Sequence, residues 1–277
     1  MVNASELVGQ FDLSGPERVF LVVATGMLGL LVGSFLNVVI IRVPAGRSVV
    51  RPGSACAGCG NLIAKRDNIP VLSWLLLRGR SRCCDEPISG RYPVVEAGTA
   101  LAFGGVAAWV GLSWLLPALL YLAALSIALT MIDLELKRLP NPIVLPAYPI
   151  TAVLLILPAL AEHEPGRLLS AAIGAAALYA FYFSLMVVRP GGMGFGDVKL
   201  AGVLGLYLGF FGWEYAAVGA FFGFLGGGIV GLLLMALGRA GRKSQIPFGP
   251  YMIVGAWLAL AFAGLVFDWY LRSAGIS

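Results

Sequence analysis

Apolar residues in this chain come in long unbroken blocks with short polar punctuation between them. Residues 19–41 and 97–132 carry no charged side chain at all. In lipid a backbone must satisfy its own hydrogen bonds, and a span needs roughly 20 apolar residues in a helix. Eight such blocks can be drawn, at about 19–41, 94–111, 113–132, 142–161, 168–188, 198–212, 215–237 and 250–271. They predict an all-α integral membrane protein with about eight transmembrane helices. The sixth block is short and reads as tilted, capped or partly re-entrant. The seventh carries Gly219, Gly223, Gly227 and Gly231 at every fourth position, on one helix face. Small residues at this spacing let helix backbones approach closely in a bilayer.

One long polar segment, residues 42–93, interrupts the blocks. It holds all four cysteines and nine basic residues. Three regions follow: residues 1–41 as an outside N-terminus and first helix, 42–93 as a small inserted cytoplasmic domain, and 94–277 as a transmembrane body. Composition agrees: 59% of the residues are hydrophobic and 12% charged, where soluble chains carry about 25% charged residues. No basic start precedes the first block, which has Glu6 and Asp12 before Arg18. It therefore reads as a retained span and not a cleaved signal.

Charge sets the expected orientation. With the N-terminus outside, sixteen of the nineteen Lys and Arg residues fall on the inner side, and only Arg18, Arg167 and Arg272 outside. Positive loops stay cytoplasmic. The net charge of +5 is thus accounted for by topology and implies no nucleic-acid partner. The expected location is the cytoplasmic membrane of a bacterium, multi-pass.

Several chemistries are excluded. The single histidine, His163, lies in a short outside loop between Glu162 and Glu164. A Ser-His-Asp triad, a Cys-His pair or an H-E-x-x-H zinc site cannot be built around it on the inner side. No G-x-x-x-x-G-K-[ST] phosphate loop occurs. Two aspartates remain. Asp133 sits where the third block meets the cytoplasm, before the helix-stopping Pro140, and Asp197 follows Gly194-Phe195-Gly196 where the sixth begins. Both then lie at one membrane depth and on one face. Ionisable groups at membrane depth are costly, and paired carboxylates share a proton, one activating water while the other polarises a carbonyl. The alternative is two unrelated interface charges.

The motifs around these residues carry a resemblance. Gly194-Phe195-Gly196-Asp197 is similar to the G-x-G-D signature of intramembrane aspartyl proteases. Asp133 followed by Leu139-Pro140-Asn141 resembles the first aspartate motif of type IV prepilin peptidases. Gly33-Ser34-Phe35-Leu36-Asn37 with Arg42 and Pro44, Asp67-Asn68-Ile69-Pro70, Ser89 to Pro93 with Glu96, and Pro247-Phe248-Gly249-Pro250 match in family order. The resemblance implies cleavage of the leader of type IV prepilins and pseudopilins on the cytoplasmic side. Asp133 and Asp197 would be catalytic, supported by Gly194, Gly196, Lys199, Pro247 and Gly249. It also implies N-methylation of the new terminus with S-adenosylmethionine in members that carry the inserted loop. Gly33, Asn37, Arg42, Gly79 and Glu96 are candidates for that step, or for folding and capping the loop. The other readings are an enzyme that cleaves only, and a membrane transporter, although no inverted repeat is visible.

Cys56-Ala57-Gly58-Cys59 has metal-ligand spacing. The resemblance implies a second C-x-x-C, but its first position falls on Ser81, while Cys84 fills the second and Cys83 stands one place before it. Zinc on at least three of Cys56, Cys59, Cys83 and Cys84 is one reading, and reduced thiols without metal the other.

Overall fold

The computed structural model describes residues 15–56, 58–189, 192–238 and 247–275. Glu6, Asp12, Arg239, Arg242 and Lys243, which entered the charge argument, lie outside them.

Nine α-helices occupy the described residues: α1 (Pro16–Arg42), α2 (Leu72–Leu76), α3 (Arg91–Val110), α4 (Leu116–Leu136), α5 (Asn141–Ala161), α6 (Gly166–Val188), α7 (Phe195–Phe211), α8 (Trp213–Ala236) and α9 (Gly249–Ser273). All but α2 correspond to the eight predicted blocks, and seven are long and apolar enough to cross a membrane. The protein is a multi-pass membrane protein. The eighth, α7, has 17 residues, about 25 Å of helix at 1.5 Å per residue against roughly 30 Å of hydrocarbon. This is the block that looked short in the sequence. Its buried positions run round the whole helix, from Asp197 to Phe210, so α7 faces protein on every side.

Two compact units can be distinguished. One comprises the end of α4 with α5 to α9, and α7 is its core. Gly174 of α6 lies so close to α7 that a Cβ on it would stand 2.6 Å from the Gly205 carbonyl and from Gly209 Cα. On the other side, Tyr148 of α5 donates to the Lys199 carbonyl at 2.7 Å. The hydroxyls of Thr151 and Tyr207 meet at 3.3 Å, and Tyr207 donates to the Ala118 carbonyl at 3.0 Å. The α8 glycines pack as their spacing predicts. A Cβ at Gly219 would meet Leu208 at 2.7 Å, one at Gly223 the backbone of Met252 at 3.4 Å, and one at Gly227 the Phe248 ring at 2.9 Å.

The second unit comprises α1, the loop that follows it, α3 and the middle of α4. Gly29 and Gly33 of α1 bring its backbone against α3: a Cβ at either would stand 2.7 Å from Ala100 Cα or Glu96 Cα. In the loop, α2 ends on Gly79, whose φ of +71° places it against the Trp74 ring and lets its N–H reach the Trp74 carbonyl at 2.9 Å. The indole of Trp74 in turn donates to the Ile88 carbonyl at 3.0 Å.

Candidate active site and cysteine cluster

Asp133 lies one turn before the end of α4, which stops at a left-handed Lys137. Pro140 cannot continue a helix and opens the next one instead. Asp197 lies in the first turn of α7. Both carboxylates are buried, and each accepts the N–H of a glycine at a helix start. Gly249, first residue of α9, donates to Asp133 Oδ2 at 3.1 Å; Gly194, which caps α7, donates to Asp197 Oδ2 at 3.1 Å. Helix starts offer unpaired N–H groups and a positive dipole end, which is why they receive carboxylates. The charge of Asp133 acts on Asp197.

Leu139 fills the space between the two supports. Its Cβ would lie 3.0 Å from a Cβ at Gly196, and its Cδ1 3.5 Å from one at Gly249. A Cβ at Gly249 would also stand 2.9 Å from Asp133 Oδ2, and one at Gly194 3.4 Å from Asp197 Oδ2. The glycines at 194, 196 and 249 are thus fixed by close approach. Pro247 is half-buried, just ahead of α9. Lys199 points away from the carboxylates: its Nζ donates to Asn141 Oδ1 at 2.8 Å and lies 4.4 Å from the Phe195 ring centroid. Sequence reasoning passed over Leu139 and Asn141 as contributors. They stand in the Leu139-Pro140-Asn141 motif, but nothing in an apolar residue or an amide announces that it braces a second helix.

The residues considered for methyl transfer are only partly brought together. Gly33, Asn37 and Glu96 share the α1–α3 contact. Asn37 Nδ2 donates to the Tyr92 carbonyl at 3.1 Å, and Glu96 Oε2 accepts the Val71 N–H at 2.7 Å. Asn37 Oδ1 is buried without a hydrogen-bond partner among the described residues. An orphaned acceptor beside a carboxylate suits a cationic ligand, and in charge it fits S-adenosylmethionine. Arg42 and Gly79 stand apart. Arg42 donates to the carbonyls of Ser48, Pro52 and Gly53 at 3.2, 2.7 and 3.2 Å, tying the loop to the end of α1, and Gly79 terminates α2.

The four cysteines converge, with every pair of sulfurs within 4.8 Å. Cys56 and Cys84 sulfurs are 3.4 Å apart, Cys59 and Cys83 3.1 Å, and Cys83 and Cys84 3.9 Å. A tetrahedral zinc with bonds of about 2.3 Å has sulfur–sulfur edges of about 3.8 Å, so the set fits such an ion. The neighbouring Cys83 and Cys84, which looked awkward as joint ligands, are spaced like one edge of that tetrahedron. The backbone N–H of Cys59, with the Ser81 hydroxyl, draws the Cys56 thiol down to about 6, while hydrogen bonds to Cys59 and Cys56 push Cys83 up to about 12. Nearby, Arg82 grips both oxygens of Asp67 at 3.0–3.1 Å and holds that carboxyl below its ordinary value.

The chain is similar to known proteins along nearly its whole length. The bacterial peptidase A24 N-terminal domain matches residues 27–110, and the type IV leader peptidase family matches 120–236. A prepilin leader peptidase/N-methyltransferase of Pseudomonas aeruginosa is 35% identical over 284 residues, covering 92% of this chain and 94% of that protein. The chain belongs to the type IV leader peptidase family. A protein of the same description from Aeromonas hydrophila shares 35% identity with this leader peptidase, over 89% of this chain and 92% of its own. No solved structure matches. Membership makes the chain a peptidase and leaves the transporter reading without support.

Proposed function

We propose that this leader peptidase hydrolyses the leader of type IV prepilins and pseudopilins at the cytoplasmic side of the bacterial inner membrane, with Asp133 and Asp197 as the catalytic pair. The observation that carries the reading is the pair of buried carboxylates, each held by a glycine N–H at a helix start and braced by Leu139. One carboxylate withdraws a proton from a water molecule as its oxygen attacks the scissile carbonyl, and the other, protonated, donates to the carbonyl oxygen. The C–N bond of the tetrahedral intermediate then breaks, and the proton passes to the departing amine. Gly194, Gly196 and Gly249 leave room for an extended substrate backbone, and Lys199 with Asn141 ties α7 to the start of α5. The orientation, with the N-terminus outside, rests on the distribution of Lys and Arg.

The new N-terminus would then be methylated. Asn37 and Glu96 would hold the cofactor, S-adenosylmethionine, which supplies an electrophilic methyl group. The cysteine loop of residues 42–93 serves this second activity, and its cluster would hold zinc as a structural staple. The relatives' description as peptidase and N-methyltransferase supports the double activity.

The test is cleavage of a synthetic prepilin by purified protein in detergent. Asp133→Asn and Asp197→Asn should each reduce cleavage to background while the protein stays folded and monodisperse, because each carboxylate depends on the protonation of the other. Near-native cleavage by either variant would overturn the assignment.

A further inference from the structure

The loop contains a repeat that the sequence hides. Shifting 54–63 by 25 positions onto 79–88 superimposes two hairpins, bond for bond. Cys56 N–H donates to the Asn61 carbonyl at 2.8 Å, and Ser81 N–H to that of Glu86 at 2.8 Å. The carbonyl of Cys56 accepts from Gly60 at 2.9 Å, and that of Ser81 from Asp85 at 3.0 Å. Ile63 N–H reaches the Ser54 carbonyl at 2.9 Å, and Ile88 N–H the Gly79 carbonyl at 2.7 Å. Lone antiparallel bridges join Ala55 to Leu62 and Arg80 to Pro87. Gly60 has a φ of +74° and Asp85 one of +59°. Only Cys59 with Cys84 and Ile63 with Ile88 are identical between the two stretches.

Within this repeat Cys59 corresponds to Cys84, Cys56 to Ser81, and Gly58 to Cys83. The first hairpin offers its sulfurs at the first and fourth positions of C-x-x-C; the second offers them at the third and fourth. The position taken by Cys83 faces the cluster in both copies: a Cβ at Gly58 would stand 3.3 Å from Cys84 Sγ, and Cys83 Sγ lies 3.1 Å from Cys59 Sγ. A cysteine at that third position reaches the same centre as one at the first. Ser81 meanwhile keeps the turn. Its hydroxyl accepts the Glu86 N–H at 3.0 Å and touches Cys84 Sγ at 3.3 Å.

We propose that the loop is a duplicated metal knuckle whose third thiolate has moved from position 81 to position 83, so that Cys56, Cys59, Cys83 and Cys84 together hold one divalent ion of the zinc class. This rests on the metal reading of the loop and names the ligand that replaces the missing one. Ser81 is a hydrogen-bonding neighbour of the site and not a ligand. Each thiol that binds gives up its proton to solvent as its bond to the ion forms.

The experiment uses the full-length protein in detergent, with cobalt(II) as the probe. The native protein should take up one cobalt per chain, show the visible bands of a tetrahedral ion, and show thiolate charge-transfer absorption for four sulfurs. Cys83→Ser should lose about a quarter of that absorption, one thiolate of four, and bind cobalt more weakly. The double variant Ser81→Cys/Cys83→Gly moves the thiolate back and should recover both. Unchanged absorption and affinity in Cys83→Ser would overturn the proposal. Cobalt binding by the double variant but not by the native protein would overturn the role of Cys83 while leaving the knuckles as a metal fold. No binding in any variant, with a Cys59–Cys83 disulfide found instead, would overturn both. None of these readouts involves cleavage, so they are independent of the aspartate assignment.

Discussion

Each buried carboxylate of this protein ends against a backbone N–H that only a glycine can bring so near. For Asp133 the donor is Gly249, and a Cβ there would stand 2.9 Å from the carboxylate oxygen. Gly249→Ala should push Asp133 out of line. Misplacement by about 1 Å costs on the order of 10²-fold in rate. The expected outcome is a fall in kcat for prepilin cleavage of that size, with KM little changed and the melting temperature within a few degrees of native. A KM effect alone would mean that Gly249 serves substrate binding only. The two acids are legible in the sequence because a charge at the end of an apolar block has few reasons to be there. Leu139 is not, because one leucine among many in an apolar chain differs only by what it touches. Gly249 stands in a recognisable motif, yet its N–H donation depends on where α9 begins relative to α4, which no local pattern encodes.

Elements obey the same division. Eight long helices follow from hydrophobic blocks and their length, and the regular glycines of α8 foretell its tight side. The closest helix contact in the protease unit was not foreseeable. It depends on Gly174, alone in α6, meeting Gly205 and Gly209 of α7, and a single glycine carries no period. Gly205→Ala would put a Cβ 2.5 Å from the Gly174 carbonyl and 2.7 Å from Ala175 Cα. Overpacking of this kind costs about 1–3 kcal/mol, so the melting temperature in detergent should fall, and cleavage with it, since α7 carries Asp197. In the loop the Asp67–Arg82 pair supplies a pH-dependent element. The folded carboxyl lies below its ordinary value, so the pair stabilises fully above the unfolded value of about 4 and loses its effect as pH falls through the lower folded one. Amide exchange in residues 66–84 should be faster in Asp67→Asn than in the native protein at pH 7, and the gap should close as the solution is acidified below about pH 4. A gap that persists in acid would show that Asp67 acts through shape and not charge.

For the whole molecule, the two units divide the chemistry. Asp133, Leu139, Gly194, Gly196, Asp197 and Gly249 all belong to the unit of α5 to α9, whereas the cysteines, Asn37 and Glu96 belong to the unit of α1, the loop and α3. A loop of about 50 residues buries little apolar surface of its own, and here its order comes from the sulfur cluster, the Arg42 contacts and the Val71–Glu96 bond. Replacing Cys56 and Cys59 together by Ser removes both sulfurs of the first hairpin. The remaining pair cannot complete a four-ligand site. The double variant should therefore lose its metal and its loop order while the carboxylate pair keeps every support it has within its own unit. The two activities, assayed side by side on one synthetic prepilin, should then separate. Methylation of the cleaved product should fall by at least about tenfold, on the scale of damage to the surroundings of a metal site, and cleavage should fall by less. Equal loss of both would mean that the loop supports the protease unit as well, and undiminished methylation would remove the loop from methyl transfer altogether.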